Sequence, residues 1–393
     1  MSHRKSSSLA RPKRTGLAGD VNSVGSRSRK WIVPGLILMG VLATGYWVFA
    51  PSRADLSRAR ALLDTDPAAA EQLAEQAVVN AGGNYPEAQL LQCRALAATG
   101  QWNAALGGMS LIQDTSQCDP EELLDLGRRA MNAGEWKLAE VSLQAASARA
   151  SPALSPALDQ LVRLQLRFQR LEEAMALCRD WQQRAPDAAV PWAIAGDLEM
   201  AAVNFGAAIA DYRQALHRKP PADLEYDVRS SLAQILVLSG DATAARIEFD
   251  LLMQAKPLTG KLQLSYVQLL RLEGRFDEGL AEVDRYLQRS GSNSESLKLR
   301  GILQLDVGHA ELAIGDLKQS VGLNPYDIGA EHKLAQAYLQ AGDGDSARPH
   351  LERARKMTDA TYRISDVQQR LQANPTDPGL QQELKDLKAI LGQ

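Results

Sequence analysis

Nine times along the chain, at steps of 34 or 35 residues with one of 37, a small residue returns to the same place. These residues are Ala70, Ala105, Ala139, Ala174, Ala208, Ala245, Gly279, Ala313 and Ala347. A fixed period of this length describes helical hairpins stacked in a row, since one hairpin cannot bury its apolar face alone. With the small residue placed twentieth, the units start at Pro51, Pro86, Pro120, Ser155, Ala189, Tyr226, Gly260, Ser294 and Ile328.

Other places repeat as well. The eighth holds Cys93, Gly127, Gly196, Ala233, Gly301 and Ala335, with Val162 and Val267 as larger exceptions. Small side chains at the eighth and twentieth places let two helix backbones approach. Trp102, Trp136, Leu171, Phe205 and Phe276 at the seventeenth, and Tyr212 and Phe249 at the twenty-fourth, fill the space between them. Gly100, Gly134, Gly240, Gly274, Gly308 and Gly342 fall where the first helix of a unit must end, a left-handed position that suits glycine. Pro186, Pro220, Pro257 and Pro325 close units, because proline cannot continue a helix interior.

The unit 189–225 shows the pattern most fully, with Trp192, Gly196, Phe205, Ala208, Tyr212, Ala215 and Pro220 in order. This resembles the tetratricopeptide repeat family over residues 51 to 361. The resemblance implies a right-handed α-α superhelix whose first helices, the A helices, line a concave groove for protein or peptide partners. Residues 362–393 are expected to form a capping helix pair, with one apolar stripe of Leu380, Leu384, Leu387 and Leu391. Thr65-Asp66-Pro67 and Thr376-Asp377-Pro378 read as helix starts, with Asp as N-cap and Pro first in the helix.

Ahead of the repeats, residues 31–50 carry no charge. At about 1.5 Å per residue they reach roughly 30 Å, the depth of a bilayer core, and are expected to form a single transmembrane helix. Residues 1–30 read as a disordered basic tail of net +7: eight Lys and Arg face only Asp20. Six of these cations lie within about 20 residues of the apolar segment, against Arg53, Arg58 and Arg60 behind it. The expectation is a cytoplasmic N-terminus, a periplasmic or extracytoplasmic solenoid, and the lipid bilayer as a partner. Envelope assembly, secretion or stress handling is the expected setting. A regulatory subunit of a separate membrane enzyme and a cytosol-facing organelle receptor stand as alternatives.

The whole chain carries −3, so residues beyond the tail carry −10, which argues against nucleic acid as a partner. Three cysteines make no disulfide framework and no Cys-x-x-Cys metal pair. Cys93 and Cys178 occupy packing places. No phosphate loop, His-Glu-x-x-His or Gly-x-Ser-x-Gly is present, so neither an enzyme nor a cofactor is expected. Gly342-Asp343-Gly344-Asp345-Ser346 lacks the later Glu of a calcium loop and reads as a turn with a helix cap.

In the resembled family the second, fifth, ninth and twelfth places of a unit face the groove. The ninth holds Arg94, Arg128 and Arg163 in three consecutive units, a ladder suited to carboxylates of an acidic partner segment. Glu121, Asp125 and Asp159 lie on the same face and compete for those cations. Further along, Asp197, Gln234 and Gln268 take the ninth place, so the groove turns from basic to neutral. Met131 and Met200 at the twelfth offer adaptable apolar contact.

Overall fold

The structure, a computed structural model, describes residues 53–393. Among the described residues there are 19 α-helices, one short 3₁₀ turn and no strand. The helices come in pairs, one pair per 34-residue unit, as the spacing of Ala and Gly dictates.

The chain divides into two compact units. The first, through Asp119, contains α1 (Arg53–Leu62), α2 (Pro67–Asn80), α3 (Pro86–Ala98), α4 (Trp102–Leu111) and the 3₁₀ turn Thr115–Gln117. The second begins at Pro120. It holds α5 (Pro120–Ala133), α6 (Trp136–Ser147), α7 (Leu154–Arg167), α8 (Leu171–Arg184), α9 (Val190–Ala201) and α10 (Phe205–His217). There follow α11 (Ala222–Leu238), α12 (Ala242–Ala255), α13 (Gly260–Leu272), α14 (Phe276–Ser290), α15 (Ser294–Asp306), α16 (Ala310–Leu323), α17 (Ile328–Gln340), α18 (Gly344–Ala373) and α19 (Pro378–Ile390). Within this unit each helix packs on the next in sequence, and A helices also touch the following A helix, as in α5–α7, α9–α11, α11–α13, α13–α15 and α15–α17.

The small-residue places do what their size predicts. All eight alanines of the twentieth place are fully buried. At the eighth place, a Cβ on Gly127, Gly196 or Gly301 would stand 2.6–2.7 Å from Leu143, Tyr212 or Leu317, each the twenty-fourth residue of its own unit. The two places share one volume. Val162 is accommodated because Cys178 stands at its twenty-fourth place, and Val267 because Val283 does; each pair lies in one core cluster.

Helix starts also follow the sequence. The Asp66 side chain accepts from Ala69 N at 3.1 Å, and Asp377 from Gly379 N at 2.8 Å and Leu380 N at 3.1 Å. Asp343 accepts from Ser346 N at 3.0 Å, so the Gly-Asp-Gly-Asp-Ser segment is a capped turn. At the C-terminal end, Val367, Leu380 and Leu387 are buried together, with Leu384 and Leu391 packed against them. No break separates the ninth unit from this closing pair: α18 runs 30 residues through position 362 and serves both.

One expectation is corrected. Among the described residues no helix is long and apolar enough to cross a membrane, which overturns the single-pass localisation with an extracytoplasmic solenoid. The reason is plain in α18. Its length would span a bilayer, but Asp345, Arg348, Glu352, Arg353, Arg355 and Lys356 in its first half could not enter hydrocarbon. The apolar segment 31–50 and the basic tail 1–30, on which the expectation rested, lie outside the described residues.

Candidate functional site

The expected ladder is divided between the two units. Arg94 is half-buried on α3, in the first. Arg128 and Arg163 are exposed on α5 and α7, neighbouring A helices of the second. Arg163 Nε donates to Asp159 Oδ2 at 2.9 Å, four residues back, and that bond raises the guanidinium pKa above its ordinary value. Asp125 engages Arg129 at 3.0 Å. Arg163 is therefore partly neutralised along its own helix, while Arg128 is displayed to solvent.

The other expected residues lie on helices of the second unit. Asp197 and Met200 sit on α9, Gln234 on α11, Gln268 on α13 and Met131 on α5. Asp197 reaches solvent, yet its Oδ1 accepts from Tyr212 O–H at 2.7 Å. Burial raises its pKa, the Tyr212 bond opposes this, and the like charge of Asp227 adds to the rise. Gln234 is turned onto its own helix, donating to Ser230 O at 3.0 Å.

Gln268 belongs to a groove of about 280 Å³ that crosses the A helices α11, α13 and α15. Val237, Leu272, Leu299 and Ile302 give it apolar walls, and Arg271 and Lys298 stand at its rim with Glu295. Arg271 Nε lies 2.5 Å from Asp306 Oδ2, and Lys298 Nζ lies 2.7 Å from Asp327 Oδ2. These pairs bridge consecutive A helices or reach the cap of the next, so the rim cations are held in place. Lys298 and Ile302 are fifth- and ninth-place residues, and Arg271 a twelfth-place one. The groove thus includes fifth-, ninth- and twelfth-place residues, further along the chain than the ladder.

The sequence reading missed a second polar system. The fourth and twenty-third places of a unit, 19 residues apart, meet across the hairpin. Arg229 Nη1 donates to Glu248 Oε2 at 2.8 Å, Gln263 Nε2 to Glu282 Oε1 at 2.7 Å, and His350 Nδ1 lies 2.6 Å from Glu331 Oε2. Glu331 is fully buried and also meets Arg353 Nε at 3.2 Å. Arg300 is bracketed by Asp316 at 2.6 Å and Asp284 at 2.9 Å. A repeat-frame table of residues 19 apart would have revealed the first three.

All three thiols are buried, including Cys118, which the sequence places in a turn. Burial pushes the Cys93 and Cys178 pKa values up to about 12, with Cys118 and Asp211 adding to the respective shifts. Among the described residues no group of three or more His, Cys, Asp or Glu side chains is arranged to hold a metal ion.

Residues 195–259, which run from α9 to the threshold of α13, match the tetratricopeptide repeat family. The same eighth and twentieth places recur in the repeats on either side of that stretch. No curated protein matches the chain. Among solved structures, a tetratricopeptide repeat protein from Parabacteroides merdae is 16% identical, with 68% of this chain and 98% of that chain covered and a TM-score of 0.47. The Cut9–Hcn1 hetero-tetramer of the APC/C is 13% identical over 85% of this chain and 55% of that one, with a TM-score of 0.44. YrrB, described as a tetratricopeptide repeat protein with an unusual peptide-binding site, is 16% identical over 45% and 90%, with a TM-score of 0.35. At these TM-scores the likenesses carry no functional argument.

Proposed function

We propose that the chain is a non-catalytic scaffold that holds protein or extended peptide partners on the A-helix face of its second unit. The observation that carries this reading is the groove across α11, α13 and α15. Val237, Leu272, Leu299 and Ile302 offer an apolar surface there, Gln268 adds a polar group, and Arg271 and Lys298 offer polar contacts held by ion pairs. Apolar walls with a few held polar groups suit a peptide that alternates the two kinds of side chain.

Arg94, Arg128 and Arg163 are proposed to extend the recognised surface toward acidic partner residues, Arg128 most directly because it is exposed. Asp197, Gln234, Met131 and Met200 complete that face. Binding of a library of 12-residue peptides to the 393-residue chain tests both parts. Ile302→Asp is expected to remove capture of peptides with aliphatic residues. Reversal of all three arginines to Glu is expected to remove only the acidic ones. Unchanged binding by both variants overturns the reading.

A further inference from the structure

The fifteenth place, where helix A turns into helix B, adopts left-handed backbone in the second to ninth repeats. Glycine fills it at Gly100, Gly134, Gly240, Gly274, Gly308 and Gly342, with φ between 72° and 84°. In the fourth and fifth repeats the same conformation is forced on Gln169, at φ 56°, and Val203, at φ 63°. A β-branched residue is a poor fit to that region. Val203 gains nothing in burial for this strain, since it is 68% exposed.

Val203 does not stand alone. Phe168, at the preceding turn, is 42% exposed and Leu171 53% exposed. Leu171 lines a groove of about 370 Å³ between α8 and the end of α9, and Val203 lies between two of its lining residues, Ala202 and Asn204. Met175 and Leu198 complete the apolar surface. This groove is built from the B helix α8 and the end of the A helix α9, and it shares no lining residue with the groove across α11, α13 and α15.

Its lining is acidic on balance. Glu172 and Glu199 line it together with one cation, Arg179, and Glu199 Oε2 accepts from Asn204 Nδ2 at 2.8 Å. Asp211 stands behind: burial raises its pKa, Glu199 adds to the rise, and Arg179 opposes it. Glu172, Glu199 and Asp211 thus outnumber the one lining guanidinium, Arg179. Two further cations near by are engaged with aromatic rings. Arg167 stacks over Trp136 at 4.4 Å, and Arg170 over Phe168 at 5.4 Å while donating to Gln165.

We propose that this groove is a second docking surface, for a partner segment whose aliphatic side chains are flanked by Lys or Arg. The apolar strip supplies contact area, and the acidic rim selects basic neighbours and repels acidic ones. The proposal goes beyond the A-helix face and does not depend on it.

Fluorescein-labelled peptides KLLKLLKK, ELLELLEE and KSSKSSKK, titrated against the 393-residue chain and read by anisotropy, test it. The first is expected to bind about tenfold more tightly than either other peptide. The double variant Leu171→Ser, Val203→Gly should weaken it about tenfold, and Glu172→Gln with Glu199→Gln should flatten its salt dependence. Glycine at position 203 matches the other repeats, so helical circular dichroism should be unchanged. Absent binding of KLLKLLKK, equal binding of ELLELLEE, or full binding by the double variant overturns the proposal. So does loss of binding in Ile302→Asp alone, which would put the peptide on the A-helix face. If sedimentation shows self-association that the double variant abolishes, a second copy covers the groove and the proposal fails.

Discussion

Gly196→Ala and Gly315→Ala are the same chemical change, and the packing predicts opposite outcomes. Alanine is the better helix former, by about 1 kcal/mol, so each substitution starts with a gain. At Gly315, inside α16, a new Cβ meets nothing within 4 Å, and the gain stands. At Gly196 it would stand 2.6 Å from Tyr212 Cε1 and 2.7 Å from Cδ1. The ring has no easy retreat: Tyr212 is 1% exposed and its hydroxyl is bound to Asp197 at 2.7 Å. Overpacking of this kind costs about 1–3 kcal/mol, and breaking the Tyr212–Asp197 bond adds about 1 kcal/mol. Gly196→Ala should therefore come out about 1–3 kcal/mol less stable than the parent, and Gly315→Ala up to about 1 kcal/mol more stable. Urea denaturation followed by circular dichroism measures the difference, with midpoints compared at equal slope because repeat arrays do not always unfold in one step. Equal stability of the two variants would refute the claim that close backbone approach at the eighth place limits what that place can hold.

Two further outcomes are expected. The hydrogen bond from Arg246 holds the Glu273 carboxyl below the ordinary glutamate range, with Arg275 adding to it. The native chain therefore binds that proton less readily than the unfolded chain. Its stabilising contribution is complete above about pH 4.3 and disappears as pH falls through the lower native value; Glu273→Gln should flatten an acid-unfolding curve in that window, and an unchanged curve counts against the assignment. The buried thiols should resist a thiol-reactive disulfide reagent at neutral pH in the native chain and all react once urea unfolds it; fast native labelling of Cys93 or Cys178 contradicts their packing.

The period was legible because one packing requirement, small residues where two backbones meet, acts on every hairpin alike. Ala70 through Ala347 record it directly. The volume exchange between Val162 and Cys178 was harder to see, since the compensating residue lies sixteen positions away, on the partner helix. The turns at Gln169 and Val203 were not legible at all. Local propensity opposes left-handed backbone at both residues, and the stacking of hairpins on either side overrides it. The continuity of α18 follows from what is missing near Tyr362: the sequence from Lys356 to Arg370 has no Gly or Pro to end a helix. On the candidate site, the sequence named Gln268, which lines the groove across α11, α13 and α15. It favoured the arginines over the groove because charge is visible in a sequence, whereas a groove needs side chains from three helices at once.

The shared helix at the C-terminal end has a mechanical consequence. At about 1.5 Å per residue, α18 is a lever roughly 45 Å long. Its first half braces α17, where His350 and Arg353 grip Glu331, and its second half carries α19. Anything that tilts α19 must swing the far arm of that lever, so torque at the terminus is geared straight to the ninth hairpin.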